Sequence, residues 1–281
     1  MKLVRFGPKG QEKPGYLGAD GRIRDLSALT PDFAGDAVSI GALAALARND
    51  LDAAPVVPGT PRLGPPLAFV PNFYCIGLNY ALHAAETGAE IPAEPLVFSK
   101  ATSSLAGPED PIIVPRGSNK TDWEVELGVV IGARTHHVTQ ADALAHVAGY
   151  VALNDVSERD FQKHRGGQWI KGKSAPGFGK IGPWLVTADE VPEPQALGLR
   201  LWVNGTLRQD SATSDMIFPV AKIISYMSEF MELLPGDIIA TGTPSGVGAG
   251  LRPPQFLRAG DQVRLEVAGL GQQDSAVIAA S

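Results

Sequence analysis

A single cysteine, Cys75, excludes an internal disulfide. With no base evident beside it, the thiol reads as a small apolar core group within Phe73-Tyr-Cys-Ile-Gly77. Long apolar runs are also missing. None approaches the ~20 residues that a membrane span requires, and no signal-peptide pattern opens the chain, so a cytoplasmic protein without a membrane partner is expected. The sequon Asn204-Gly-Thr206 is then only a turn. Basic residues are in the minority, 24 Lys and Arg against 30 Asp and Glu, and they are scattered, which argues against nucleic acid as a partner. Aromatic residues make up only 7%, while 32 Gly and 23 Pro imply many turns and a strand-rich body rather than a helical bundle.

What is present falls into two parts. Lys2 to Phe6 and Tyr16 to Leu26 read as short strands, the second folded over the Ala19-Asp-Gly21 turn. Ser39 is placed to cap a helix running to Arg48. Pro55, Pro58, Pro61, Pro65 and Pro66 then mark a linker, giving a small N-terminal domain over 1–66 and a larger one over 67–281. No internal repeat is visible.

The chemistry gathers around Lys120 to Gly132. The β-branched run Val125 to Ile131 reads as a strand, on which Glu124 and Glu126, two residues apart, project from one face. A wet edge strand would place both acids in water, but Leu127 to Gly132 is too apolar for that. Two buried carboxylates on one face repel unless a cation sits between them. Asp155 ends a second apolar run, Val147 to Asp155. Three convergent carboxylates without Cys or an obvious His suit a hard ion, Mg2+ or Mn2+.

After a strand at Asn72 to Gly77, a short helix from Asn79 to Gly88 puts His83 and Glu86 on one face. The spacing is compatible with a solvated ion pair and with a proton-accepting pair in which the carboxylate fixes the imidazole tautomer. His136, His137 and His146 read as surface or structural. Gly167-Gln-Trp-Ile-Lys-Gly-Lys173-Ser174 matches the phosphate-loop pattern letter for letter. Its context does not: polar Gln162 to Arg165 precedes it and Ala-Pro176-Gly follows, so no strand enters and no long helix leaves. Lys173 instead sits where an ammonium can meet an anionic substrate. Further on, Asn204-Gly205 marks a hairpin, residues 216–233 suit an amphipathic helix, and 259–271 form another hairpin. The Gly-rich run Gly236 to Gly248 permits close backbone approach to a ligand, with Thr243 as a possible hydrogen-bond donor.

Four ordered blocks make the chain from about residue 67 onward resemble the fumarylacetoacetate hydrolase superfamily. They are Ile76-Gly-Leu-Asn-Tyr with His83 and Glu86, Asp122-Trp-Glu-Val-Glu-Leu-Gly, Asn154-Asp-Val-Ser-Glu-Arg-Asp160 and Gly242-Thr-Pro-Ser-Gly-Val-Gly248. The resemblance implies an α+β fold: a mixed β-roll body with a small N-terminal α+β cap domain, assembled as a homodimer. It also implies one Mg2+ or Mn2+ on Glu124, Glu126 and Asp155, with His83 and Glu86 on a lid helix and Lys173 facing substrate. Substrate contacts are expected from backbone at Ile76 and Gly77, from Thr243, and from Gln162, Arg165 and Gln168. The segment Arg165 to Ser174 looks most like members hydrolysing 2,4-diketo-3-deoxy sugar acids, the L-rhamnonate compound to pyruvate and L-lactate or its L-fuconate analogue. Acylpyruvate hydrolysis, oxaloacetate decarboxylation, an isomerase or decarboxylase of aromatic catabolism, and a catalytically silent scaffold are the other readings of the same residues.

Overall fold

Alternation after Glu124 decides the middle of the fold. The computed structural model describes residues 1–280. Val125–Ile131 is a strand buried along its whole length. Val125, Leu127, Val129 and Ile131 enter one apolar cluster, and Val130 on the opposite face enters a second. Its neighbour Val147–Asp155 is equally buried. Strands covered on both faces read as continuous apolar runs, and these two sit at the centre of a sheet.

Among the described residues that sheet has eleven strands, and a second has five. The large sheet runs from Ile23–Asp25 through Lys13–Leu17, Lys2–Phe6, Leu185–Thr187, Val147–Asp155, Val125–Ile131, Ile238–Ala240 and Phe73–Gly77 to Leu96–Lys100. Pairing is mixed: Val125–Ile131 is antiparallel to both neighbours, whereas Ile238–Ala240 and Phe73–Gly77 are parallel. The second sheet, built on Gly198–Val203, Thr206–Ala212, Gln262–Val267 and Gly271–Ala279, supplies Leu199, Leu201, Val263 and Leu265 to the first cluster. Neither sheet closes into a barrel among the described residues. The architecture is α+β and mostly sheet, as expected.

Residues 1–66 extend the large sheet, since Leu3 lies opposite Leu185 and Lys2 opposite Val186. The helix Ile40–Leu46, capped by the Ser39 hydroxyl, lays Leu43 and Leu46 onto the second cluster. Arg62 ties this segment to the rest, with hydrogen bonds of 2.8 Å to Glu12 and 2.7 Å to Asp110.

Several elements are shorter than the sequence suggests. The helix expected over 216–233 is Val220–Ser228, because Pro219 stands at its N-cap and bars Phe218 from helical torsions. Its tail instead turns away, and Leu233 bridges to Thr135. Between Gln140 and His146 only Ala143–His146 winds, as a 3-10 turn. The hairpin at Asn204-Gly205 is present, with both residues at positive φ (51° and 76°), as a tight two-residue turn needs.

Candidate metal centre and active-site cavity

Strand register assembles the three acids. Glu126 lies opposite Leu153 and Val125 opposite Asn154. The Asp155 amide donates to the Glu124 carbonyl at 3.0 Å, so Glu124 and Asp155 face each other across the two strands. Residues opposite or two apart share a face, so the three carboxylates converge. One oxygen from each lies within 4.8 Å of the others, and all three residues are buried.

Cations surround them. Lys173 Nζ reaches Glu124 at 2.7 Å and Asp155 at 2.6 Å. Arg159 reaches Glu124 at 2.7 Å and Asp122 at 2.8 Å. Lys100 donates to the other Asp155 oxygen. Burial alone would raise the Glu124 carboxyl, but Lys173 and then Arg159 hold it far below the ordinary carboxylate range. The same acids hold Lys173 and Arg159 above their ordinary values against burial. Glu126 differs. It accepts a hydrogen bond from the Gly242 amide at 2.8 Å, and burial, Asp155 and Glu124 together push its carboxyl well up. In this linked cluster, Asp122, Glu124, Glu126 and Asp155 outnumber Lys100, Arg159 and Lys173, so with all four acids ionised one buried negative charge would be unmatched, and it is Glu126 that resists ionising. An all-oxygen donor set with surplus negative charge fits a hard divalent cation.

The opposite wall is the helix Ala81–Thr87. Asn79 pins its start, donating to Phe218 and Thr241 carbonyls and accepting from the Phe218 amide at 2.7 Å. Gly88, at φ 70°, ends it. His83 Nδ1 sits 2.8 Å from Glu86 Oε1, leaving Nε2 as the ring nitrogen free of that contact. The other Glu86 oxygen accepts from the Gly246 amide at 2.9 Å, which docks the helix on the Gly-rich loop. A Cβ at Gly250 would come within 2.5 Å of that carboxylate, so a side chain there would push Glu86 from this position. Gly248 and Ala249 amides donate to Asp122, which in turn holds Arg159; one loop therefore touches both the helix and the charged cluster.

Of the residues expected at the site, His83, Lys173, Glu124, Glu126, Asp155, Ile76, Gly77, Gln162 and Thr243 all line one cavity, with Glu86 behind His83. Two details differ. Arg165 and Gln168 are exposed and do not line it; Arg165 lies over Phe161, 3.5 Å from Asp160. The Thr243 hydroxyl donates to the Val125 carbonyl at 2.9 Å, so its proton is already committed.

Side chains not foreseen complete the walls. Lys100 ends an apolar run as Asp155 does, and that shared pattern was the available signal. Arg159 opens the helix Arg159–His164 that follows the Asp155 strand, with its Nη2 buried and unpaired among the described residues. Phe98 and Trp169 meet edge to face at 5.1 Å between centroids. Trp169 can lie there only because residue 77 is glycine, where a Cβ would approach its ring to 2.6 Å. The phosphate-loop lookalike has no phosphate-loop geometry: a helix, Arg159–His164, precedes it, and its lysine is held by Glu124 and Asp155. Cys75 is fully buried, and burial pushes its thiol well up, so it takes no part.

A sequence profile for the fumarylacetoacetate (FAA) hydrolase C-terminal region matches residues 72–278. The chain is 58% identical over 274 residues to a provisionally named hydrolase of Burkholderia lata, covering 97% of each. Among solved structures it is similar to the fumarylacetoacetate hydrolase of Exiguobacterium antarcticum, with 36% identity, TM-score 0.86 and full coverage of both chains. It is also similar to maleylpyruvate hydrolase of Sphingobium sp. SYK-6, solved with manganese(II) and pyruvate, at 29% identity, TM-score 0.82 and full coverage of both. A 2-hydroxyhepta-2,4-diene-1,7-dioate isomerase of Mycobacterium marinum matches at 30% identity and TM-score 0.79, over 100% of this chain and 99% of that one.

Proposed function

The chain belongs to the fumarylacetoacetate hydrolase family, and from that premise we propose that it is a Mg2+- or Mn2+-dependent hydrolase of a carbon–carbon bond in a 2,4-diketo acid, releasing pyruvate. The observation that carries this reading is the placing of the His83–Glu86 pair across one cavity from three buried carboxylates with surplus negative charge. Glu124, Glu126 and Asp155 would hold the ion. A divalent ion held there would supply Lewis acidity to the keto-acid end of the substrate.

The protein's own groups account for the proton movements. Glu86 fixes His83 with Nδ1–H toward its carboxylate, so Nε2 can take a proton from water. The hydroxide adds to C4, the C3–C4 bond breaks with its electron pair moving to C3, and the imidazolium returns the proton there. One water is consumed; the acyl fragment leaves as a carboxylic acid and the other fragment as pyruvate. Lys173 is a fixed cation beside the charge that develops on the enolate oxygen. Arg159 and Gln162 line the same cavity and bring further donor groups to it.

The deoxy sugar acid end suggested by residues 165–174 has thin support in the walls. Arg165 and Gln168 stand outside, and Ile76, Leu78, Phe98 and Trp169 offer few partners for hydroxyl groups. His83→Ala is expected to keep metal affinity and lose pyruvate release by about 100-fold or more, the usual size of a general-base deletion. Calorimetry with Mg2+ and a lactate-dehydrogenase-coupled assay check both halves. An active His83→Ala protein would move the base elsewhere. Double-bond migration without pyruvate release would favour the isomerase reading.

A further inference from the structure

Two of the three convergent carboxylates already share a cation. Lys173 ends the short helix Ile170–Lys173 and is buried. Its ammonium stands 2.7 Å from Glu124 Oε2 and 2.6 Å from Asp155 Oδ2. The other oxygen of each acid meets a different group: Arg159 reaches Glu124 Oε1 at 2.7 Å, and Lys100 reaches Asp155 Oδ1. A divalent ion gathered by Glu124, Glu126 and Asp155 must therefore use oxygens that a protein cation holds. An ammonium left bridging the same pair would face that ion in a buried site, where like charges repel far more than in water. The three cations are not equally anchored. Arg159 is also held by Asp122, which the Gly248 and Ala249 amides fix in turn. Lys100 also donates to the Val156 carbonyl at 3.2 Å. Among the described residues, Lys173 donates only to the two carboxylates. It lies 5.2 Å from the centre of the Phe98 ring, at the wall of a cavity of about 250 Å3 that Gln162 and Trp169 also line. An aromatic face of that kind can receive an ammonium. Charge points the same way. Against Asp122, Glu124, Glu126 and Asp155, the anchored Lys100 and Arg159 leave two negative charges, which one divalent ion neutralises.

We propose that Lys173 is the tethered cation of the metal-free site, and that a divalent ion takes its place on Glu124 and Asp155 and turns the ammonium out toward Phe98 and the cavity. This rests on the proposed function only for the binding of a divalent ion by the three acids. The exchange gives Lys173 two positions with different work. Without the ion it spans two acids that would otherwise repel. With the ion its charge is delivered to the space that an anionic substrate enters. Metal then precedes substrate, because the ammonium is masked until the ion arrives.

Two measurements on the full chain test this without any turnover. In calorimetry on chelator-treated protein, Lys173→Met, which keeps the length of the side chain and removes its charge, is expected to bind Mg2+ about 10- to 100-fold more tightly than the unaltered protein. That is the range of one hydrogen bond to a charged group that no longer has to be broken. The second measurement needs no variant. The unaltered protein would be treated with acetic anhydride, with and without Mg2+, and the acetylated lysines located by mass spectrometry. Lys173 should react about 10-fold faster or more once Mg2+ is present, as its hydrogen bonds to the two acids are given up. Lys100 is the internal control and should stay unreactive in both conditions. Equal or weaker Mg2+ binding by a folded Lys173→Met protein would overturn the exchange while leaving the metal site in place. Acetylation of Lys173 that Mg2+ does not change would overturn it too. So would a parallel rise at Lys100, since the whole site would then be opening. If neither protein binds Mg2+ or Mn2+, the metal assignment itself fails and the exchange falls with it.

Discussion

Within the acidic cluster, Glu126 is the carboxylate for which the described residues provide no cation within ion-pair distance, and its charge is opposed by burial, Asp155 and Glu124. A carboxyl raised in the folded state contributes stability that is present below its unfolded value and lost as pH climbs toward its folded one. At neutral pH the metal-free protein therefore bears an electrostatic cost. Glu126→Gln keeps an acceptor for the Gly242 amide and removes the charge. It is expected to stabilise the metal-free protein by about 1–3 kcal/mol in urea unfolding while abolishing Mg2+ binding and turnover. Retention of native Mg2+ affinity would contradict the ligand assignment. Lys180 gives the opposite sign. Burial lowers its ammonium to about 7, although it donates to the Gly107 and Asp110 carbonyls. Between about pH 7 and the ordinary lysine value the unfolded chain holds a proton that the folded one has released, so stability rises with pH across that window. The stability difference between the unaltered protein and Lys180→Met should grow in favour of the former from pH 7 to 9; a flat difference would mean that Lys180 stays charged.

At the scale of elements, the Gly-rich loop joins the helix carrying His83 to the charged cluster. Gly246 binds Glu86, and Gly248 and Ala249 bind Asp122, which holds Arg159 against Glu124. Gly250→Ala places a methyl against the Glu86 carboxylate. Turnover should fall about 10- to 100-fold as the dyad loses its alignment, with Mg2+ affinity kept. Steady-state kinetics beside calorimetry would show it, and unchanged kcat would mean that Glu86 can reseat. What the sequence displayed and what it hid also divide at this scale. Period-two alternation and two apolar runs ending in acids were enough to bring Glu124, Glu126 and Asp155 together, because strand pairing follows from such local patterns. Helix-face spacing likewise paired His83 with Glu86. The ion pairs of Lys100 and Arg159 were hidden: the run that Lys100 ends marks it as the end of a buried strand, but which acid each cation meets depends on packing between elements that no local pattern encodes. Arg165 and Gln168 were expected as substrate contacts on the family resemblance, but the turn between Arg159–His164 and Ile170–Lys173 carries them to the surface.

At the scale of the molecule, the cavity is lined by residues from Ile76 to Ala249, so the whole central sheet must form before the site exists. Residues 1–66 extend that sheet and are fastened by Arg62, while the second sheet supplies the other half of the core. The central claim is that this assembled cavity performs metal-dependent cleavage of a diketo acid. Its most direct test is pyruvate release by chelator-treated protein, with and without added Mg2+ or Mn2+. The panel would hold succinylpyruvate, acetylpyruvate, oxaloacetate and 2,4-diketo-3-deoxy-L-rhamnonate. The account predicts release that depends on added metal and is fastest with a diketo acid. Release unaffected by chelation, or none from any diketo acid with metal bound, would contradict it.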